Sequence, residues 1–180
     1  MKIKVCGMRN PKNIKEIARL KPDFMGFIFY PPSPRFLASE EGFPFDSLKG
    51  ICTTGVFVNA TDSEIVNTIR RFKLKAIQLH GQESEAFCRN IRQLGVKVLK
   101  AVAVADKSDL ENLVRFAGAV DYLVFDTKTQ QHGGSGTKFN WELLNEYQAG
   151  IPFLLGGGIE EQDAERLAKL NHTMLAGVDI

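Results

Sequence analysis

Short apolar segments with the character of strands alternate along this chain with segments of helical periodicity. Strands are predicted at Ile3–Cys6, Phe24–Phe29, Gly55–Val58, Ala76–Leu79, Val96–Val102, Tyr122–Phe125, Pro152–Leu155 and Met174–Asp179. Helices are predicted at Pro11–Leu20, Phe45–Lys49, after a cap at Thr61, and at Glu83–Leu94, Lys107–Phe116, Phe139–Tyr147 and Glu160–Leu170. This regular alternation is typical of parallel strands joined by helical crossovers.

The number of strands favours a single closed domain over residues 1–180. Eight strands with helices between them predict an α/β fold of the (β/α)8 TIM-barrel type, and an open doubly wound sheet is the alternative. Side-chain parity helps to choose, because Ile3 and Val5 share one face of the first strand whereas Lys4 and Cys6 share the other. Doubly wound strands are usually apolar on both faces, so the polar face predicts a barrel lumen.

Two lysines are predicted to lie inside that lumen. Lys4 shares its face with Cys6, and Lys100 is assigned inward by its parity with Val98 and Val102. A buried ammonium must be paired or lose its proton. We therefore expect Lys4 to have a carboxylate or another acceptor within hydrogen-bond reach inside the barrel.

Composition excludes several classes of protein. The chain has 180 residues, 44% of them hydrophobic, and a net charge of +2 from 23 basic and 21 acidic residues. These values exclude disorder, and the balanced charge argues against a nucleic-acid partner. Three cysteines without a paired spacing argue against a disulfide framework or a structural zinc site. No apolar run approaches the length of a membrane helix, and we expect a cytoplasmic protein.

The candidate chemistry lies at the carboxyl ends of the predicted strands, where barrel enzymes place their active sites. These ends carry Cys6, Arg35 in a proline-rich loop, His80, Asp126 and Asp179. A free cysteine is most often a small buried hydrophobe and a histidine is often structural, so each residue alone carries little weight. Beside a cation, however, a thiol can deprotonate, and a carboxyl against apolar walls can act as a general acid.

A glycine turn after the seventh strand predicts a phosphate site. Gly156, Gly157 and Gly158 join this strand to the next predicted helix. Free backbone N–H groups at such a position favour a phosphate group, and the loops after strands seven and eight are the usual phosphate site of a barrel. The glycine-rich run at 133–136 is a weaker signal of the same kind. The histidines form no cluster with metal-ligand spacing, so no metal is expected.

Taken together, these segments resemble the phosphoribosylanthranilate isomerase family of tryptophan biosynthesis. The matching segments span the whole chain in the family's order. They are Lys4-Val5-Cys6-Gly7-Met8, Gly26-Phe27-Ile28-Phe29 with Ser33-Pro34-Arg35, Gly55-Val56-Phe57-Val58, Gln78-Leu79-His80-Gly81, Phe125-Asp126, Gly133-Gly134-Ser135-Gly136 with Phe139-Asn140-Trp141, Gly156-Gly157-Gly158-Ile159 and Gly177-Val178-Asp179. Asn140 and Gly156 depart from the family's common residues.

The resemblance implies an Amadori rearrangement of N-(5-phosphoribosyl)anthranilate that uses no cofactor and no metal. Asp126 would be the general acid that opens the furanose ring, and Cys6 the general base that removes the C2′ proton. Arg35 would face the anthranilate carboxylate, and the turn with Gly157 and Gly158 would hold the phosphate. His80 and Asp179 would line the pocket. The state as a monomer or a homodimer is left open.

Two other classes of function compete with this reading. The first is another phosphate-binding barrel enzyme, such as indole-glycerol-phosphate synthase or a pentose-phosphate epimerase, which would need catalytic lysine and glutamates or a histidine-rich metal site. The second is a non-catalytic module that binds anions at its glycine turn.

A further expectation concerns the outward residues Ile3, Val5, Ala176 and Val178, for which no covering helix follows Ile180. We expect the natural chain to be longer by one helix.

Overall fold

A computed structural model describes residues 1–127 and 140–180 of the chain. Its strands form a closed parallel barrel in the order β1 to β8, with β8 paired to β1. The strands are β1 (Lys2–Cys6), β2 (Phe24–Ile28), β3 (Cys52–Phe57), β4 (Ala76–Leu79), β5 (Lys97–Val104), β6 (Tyr122–Thr127), β7 (Phe153–Leu155) and β8 (Leu175–Asp179). The predicted barrel is confirmed and the open sheet is wrong.

Strand alternation divides the apolar side chains into two layers. The outer layer lies between the strands and the helices and joins, for example, Phe27 and Leu79 of the strands to Ile14, Ile65 and Ile91 of the helices. The inner layer fills the lumen with side chains from the strands alone, and its buried members are Ala76, Leu99, Ala101, Val124 and Leu154. This inner layer closes the lumen below its polar mouth.

The first two α-helices begin at the caps that the sequence indicates. The α-helices are α1 (Pro11–Ala18), α2 (Asp62–Phe72), α3 (Glu85–Arg92) and α4 (Ala164–Lys169). Asn10 accepts from the backbone N–H groups of the first turn of α1, and Thr61 and Glu64 form the predicted capping box of α2. Ser84 caps α3, so this helix begins two residues later than predicted.

Four predicted helices are partly or wholly 3-10 turns and are shorter or tighter than expected. Lys107–Phe116 is two 3-10 turns, Lys107–Leu110 and Leu113–Phe116, because Asn112 between them has a φ of 57° that no right-handed helix accepts. Trp141–Glu146 is a 3-10 helix, whereas the predicted start at residue 139 and the glycine run at 133–136 lie outside the described residues. Phe45–Leu48 is a 3-10 turn, and a second such turn, Glu161–Asp163, precedes α4.

One residue of β8 was assigned to the wrong face. Ala176 packs against the lumen layer and not outward, because the β7–β8 pairing jumps from Leu175 opposite Phe153 to Gly177 opposite Leu154. Such a bulge leaves one extra residue and changes the parity locally. On the outward face of the β1–β8 pair, Val178 is 7% exposed and Ile3 is 45% exposed. In the described residues no helix is long and apolar enough to cross a membrane.

Candidate active site

A buried ion pair forms the floor of the mouth. The β1–β8 register places Lys4 opposite Asp179, and both side chains face the lumen. Lys4 Nζ lies 2.8 Å from each carboxylate oxygen of Asp179, and the lysine side chain has no solvent exposure. Burial lowers the pKa of Lys4, but the charges of Asp179 and Cys6 outweigh it and leave the pKa raised. The predicted acceptor for Lys4 is confirmed.

The Cys6 thiol lies directly above this ion pair, two residues further along β1. The β1–β2 register places Cys6 opposite Gly26, and a Cβ on Gly26 would stand 2.7 Å from the Cys6 sulfur. A side chain at position 26 would therefore displace the thiol. Burial raises the pKa of Cys6 above its ordinary value. The charges of Lys4 and Arg35 offset part of that rise, and the charge of Asp179 adds to it.

Arg35 lies across the same strand end, held by a loop with three prolines. Its Nη1 donates to the Cys6 carbonyl oxygen at 3.2 Å, and its backbone N–H donates to Ser33 Oγ at 3.2 Å. The guanidinium also passes so close to Gly7 that a Cβ there would stand 2.5 Å from Nη1. Gly7 has a φ of 85° and no side chain, which permits this approach.

Asp126 and His80 face each other at the ends of β6 and β4. His80 Nε2 lies 3.7 Å from Asp126 Oδ2, and Gln78 Nε2 lies 3.2 Å from His80 Nδ1. Asp126 Oδ1 accepts from the Thr127 N–H at 2.8 Å. Burial raises the pKa of Asp126 against the lowering effects of that hydrogen bond and of the charges on Lys4 and Arg35. This carboxyl therefore holds its proton to higher pH than an ordinary aspartate.

The glycine turn joins the two halves of the mouth. Gly156 donates to the Phe125 carbonyl oxygen at 2.8 Å, and a Cβ on it would stand 3.5 Å from the Asp179 Cβ. Gly157 has a φ of 82°, and a Cβ there would stand 2.9 Å from Asp126 Oδ1. Only glycine fits position 157 without strain. The turn therefore lies between the two acidic residues, with Gly156 beside Asp179 and Gly157 beside Asp126.

A cavity of about 620 Å³ opens beside His80, Asp126 and Thr127. Among the described residues its lining runs outward to Glu83 and Lys100 and does not include Cys6, Arg35 or the glycine turn, so it touches the mouth only at one side. Across residues 1–127 and 140–180, no group of three or more His, Cys, Asp or Glu side chains is placed to hold a metal ion.

The second buried lysine does not lie in the lumen, which corrects its predicted position. Lys100 does share its face with Val98 and Val102, but those two side chains belong to the outer layer, whereas Leu99 and Ala101 lie in the lumen layer. The parity was therefore correct and the direction wrong. Both faces of β5 carry apolar residues, so the sequence of that strand does not indicate which face points into the lumen.

Lys100 is held in a network behind the mouth that the sequence did not reveal. Its Nζ lies 3.2 Å from Glu83 Oε2 and donates to the carbonyl oxygens of Leu79, Gly81 and Ala101 at 2.8 to 3.2 Å. Glu83 accepts in turn from the backbone N–H groups of Asn59 and Gly81. Glu83 was predicted only as the first residue of a helix.

Two lumen residues next to the candidate site also went unassigned. Gly26 makes room for the Cys6 thiol, and Gln78 contacts His80. A signal existed for both, because a glycine inside a buried strand often marks a close approach and Gln78 has the parity of His80.

Comparison with known proteins gives one family. Residues 3–180 match the model of the family described as N-(5'phosphoribosyl)anthranilate (PRA) isomerase. The chain is 40% identical to the N-(5'-phosphoribosyl)anthranilate isomerase of Parabacteroides distasonis, over all of this chain and 83% of that protein. It is 39% identical to the protein of the same name from Phocaeicola vulgatus, over all of this chain and 86% of that protein.

Several solved structures that bear the family's name share the fold of this chain. The chain resembles phosphoribosyl anthranilate isomerase from Thermotoga maritima with a TM-score of 0.80 and 28% identity, over 99% of this chain and 86% of that one. It also resembles a phosphoribosyl anthranilate isomerase in complex with reduced 1-(o-carboxyphenylamino)-1-deoxyribulose 5-phosphate. There the TM-score is 0.77 and the identity 25%, over all of this chain and 86% of that one.

Proposed function

Because this chain belongs to the N-(5′-phosphoribosyl)anthranilate isomerase family, we propose that Cys6 and Asp126 perform its acid–base chemistry. Its reaction is the isomerisation of N-(5′-phosphoribosyl)anthranilate, in tryptophan biosynthesis, to the corresponding 1-deoxyribulose aminoketose. The observation that carries the assignment of residues is the mouth itself. There the half-buried Asp126 carboxyl lies against the glycine turn, and the half-buried Cys6 lies beside Arg35.

Asp126 supplies the proton for the first step. It protonates the furanose ring oxygen, and the ring opens to a protonated Schiff base. The rise in the pKa of Asp126, which burial causes, supports this role because it keeps a larger share of the carboxyl in its acid form. The Thr127 N–H holds one carboxyl oxygen, which leaves Oδ2 on the side of His80 and the cavity.

Cys6 removes the C2′ proton in the second step. That proton is acidic because its loss neutralises the positive charge of the Schiff base, and the resulting enolamine tautomerises to the ketone. The thiolate is the basic form of cysteine, and a nearby cation favours it. Burial leaves the pKa of Cys6 raised on balance, and the charges of Lys4 below the thiol and Arg35 above it oppose that rise. The support for Cys6 as the base is therefore its position, with one cation on either side of the sulfur.

The remaining residues of the mouth bind the substrate. Arg35 pairs with the anthranilate carboxylate, for which a guanidinium is suited by its fork of parallel donors. The backbone N–H groups at Gly157 and Gly158 receive the phosphate, as in the usual phosphate site of a barrel. His80 lies beside Asp126 at the mouth, and Asp179 lines its floor as the partner of Lys4.

The setting of this reaction is proposed on the same basis. The substrate is a phosphorylated small molecule, no cofactor is used, and the protein acts in the cytoplasm as a monomer or a homodimer. Neither a nucleic acid nor a membrane is part of the reaction.

The test replaces each member of the acid–base pair and follows the fluorescence of the phosphoribosylanthranilate substrate. Cys6→Ser and Asp126→Asn should fold and should each lower kcat by about 10²–10⁴-fold, the usual contribution of a general acid or base. Cys52→Ser, at the other end of the lumen, and Asp46→Asn, on the surface, are matched controls that should retain native kcat. Near-native kcat in Cys6→Ser or Asp126→Asn would remove that residue from the mechanism.

A further inference from the structure

The ammonium of Lys4 is enclosed by a small set of charged groups. Its own strand offers Cys6, β8 offers Asp179, and the loop after β2 offers Arg35 above the thiol. Asp126 of β6 also feels the charge of Lys4, which lowers the pKa of that carboxyl against its burial. In residues 1–127 and 140–180, Lys4 Nζ donates to one carboxylate, that of Asp179. Each carboxylate oxygen lies 2.8 Å from Nζ. An ammonium has three protons, and the carboxylate engages two of them.

The placement of the pair suits an effect on Cys6 more than a role in holding the barrel together. Strand neighbours of the same face lie about 6.6 Å apart, so Lys4 is the first charged group below the thiol. A buried ion pair is weak evidence for stability, since apolar residues of similar volume often serve as well. Removal from water also strengthens the effect of a charge on its neighbours.

We propose that Lys4 is a positioning residue for the reaction, which holds a positive charge beneath Cys6 so that the thiolate forms in the mouth, and that Asp179 tunes the strength of this charge. The proposal rests on the assignment of Cys6 as the general base. When the thiol gives its proton to solvent, the negative charge on sulfur is compensated by the third proton of the ammonium. When sulfur then takes the C2′ proton, the ammonium returns to Asp179 alone.

Alkylation of Cys6 by iodoacetamide measures this coupling without any turnover. The thiolate attacks the methylene carbon and displaces iodide, so the rate follows the thiolate fraction as pH rises. Cys52 and Cys88 are first replaced by serine, so that Cys6 is the remaining thiol. In that background Lys4→Met should lower the alkylation rate at neutral pH about tenfold or more, which corresponds to about one pKa unit.

The two members of the pair should act in opposite directions. In Asp179→Asn, Cys6 becomes the counter-charge of Lys4, so the alkylation midpoint should move to lower pH than in the native chain. In Lys4→Met with Asp179→Asn, both charges are absent and only burial remains. We expect the midpoints to rise in the order Asp179→Asn, native, double variant, Lys4→Met. If Lys4→Met does not fold, the alkylation midpoint of Asp179→Asn compared with that of the native chain still tests the proposal.

Lys100→Met is the matched control. It removes an equally buried lysine on the far side of the barrel, and it should leave the alkylation profile of Cys6 native. An unchanged profile in folded Lys4→Met, or a midpoint in Asp179→Asn at or above the native one, would overturn the proposal. These results are separable from the assignment of the base, because loss of kcat in Cys6→Ser tests that assignment whatever the alkylation profile shows.

Discussion

The barrel contains two buried lysines with opposite surroundings. Lys4 faces the lumen and is held by the side chain of Asp179, on the neighbouring strand, below a thiol. Lys100 faces the outer layer and is held by three backbone carbonyls as well as by Glu83. Both ammonium groups are almost wholly out of water, so burial alone does not distinguish them.

The lumen pair, Lys4 and Asp179, and the outer pair, Lys100 and Glu83, differ in their hydrogen bonds to the backbone. Glu83 accepts from backbone N–H groups of two loops, at Asn59 and Gly81, so the outer pair ties the ends of β3 and β4 to β5. The lumen pair has no such backbone bonds within the described part of the chain. Because Glu83 is hydrogen-bonded to backbone N–H groups, the Glu83–Lys100 pair stabilises the loops. Lys4 is held by one carboxylate only, so its charge can also act on the Cys6 thiol above it. The outer pair is therefore structural and the lumen pair is placed for chemistry.

Double-mutant cycles on stability should give the largest contrast between the pairs. Lys4→Met leaves the Asp179 carboxylate buried without its partner and should lower the free energy of unfolding by about 3–5 kcal/mol. Adding Asp179→Asn removes that uncompensated charge and should restore most of the loss. In the outer pair, Glu83→Gln added to Lys100→Met should restore little, because the backbone donors of Asn59 and Gly81 then lose their carboxylate. Urea unfolding of the four single and two double variants gives both coupling energies.

Equal recovery in the two cycles would contradict the comparison, because it would mean that the backbone bonds of Glu83 contribute nothing. The assay of kcat provides the second readout. Lys100→Met should retain native kcat in the folded fraction, whereas Lys4→Met should not.

The sequence was sufficient for the barrel and for the composition of its mouth. Strand order, the polar face of β1, the caps at Asn10 and Thr61 and the partner required by Lys4 all follow from local patterns, and the structure confirms them. These features depend on period and on the chemistry of single residues. The resemblance to one family extended this reading to roles for Cys6 and Asp126, which stay predictions.

Features that depend on tertiary contacts were beyond reach. The direction of Lys100 is ambiguous in the sequence because β5 is apolar on both faces, and the bulge at Ala176 is decided by pairing with β7. The left-handed Asn112 replaced a predicted helix by two 3-10 turns. In each case the decisive partner lies on another strand or in the backbone angle of a single residue.

Two glycines, one in the lumen and one in the outer layer, test the same contrast by a change in packing without a change in charge. A Cβ on Gly26 would stand 2.7 Å from the Cys6 sulfur in the lumen, and a Cβ on Gly55 would stand 2.6 Å from Leu74 Cδ1 in the outer layer. Each change to alanine should cost about 1–3 kcal/mol of stability, as overpacking usually does. Only Gly26→Ala should also lower kcat, because it moves the thiol off its place above Lys4. A fall in kcat of the same size in Gly55→Ala would show that general strain, and not the thiol's position, limits the reaction.

The smallest effect concerns Asp126, a buried carboxyl that neither lysine reaches within hydrogen-bond distance among the described contacts. Burial raises its pKa in the folded state above the unfolded value of about 3.9. Below that unfolded value the carboxyl is protonated in both states, and as pH rises through the folded pKa the folded protein alone must accommodate a poorly solvated charge. Asp126→Asn avoids this loss, so its Tm should exceed the native Tm at neutral pH, by roughly 2–4 °C for each kcal/mol gained, and should match it in acid. A lower Tm at neutral pH would mean that the Thr127 N–H, together with the charges of Lys4 and Arg35, already compensates the carboxylate as fully as Asp179 compensates Lys4.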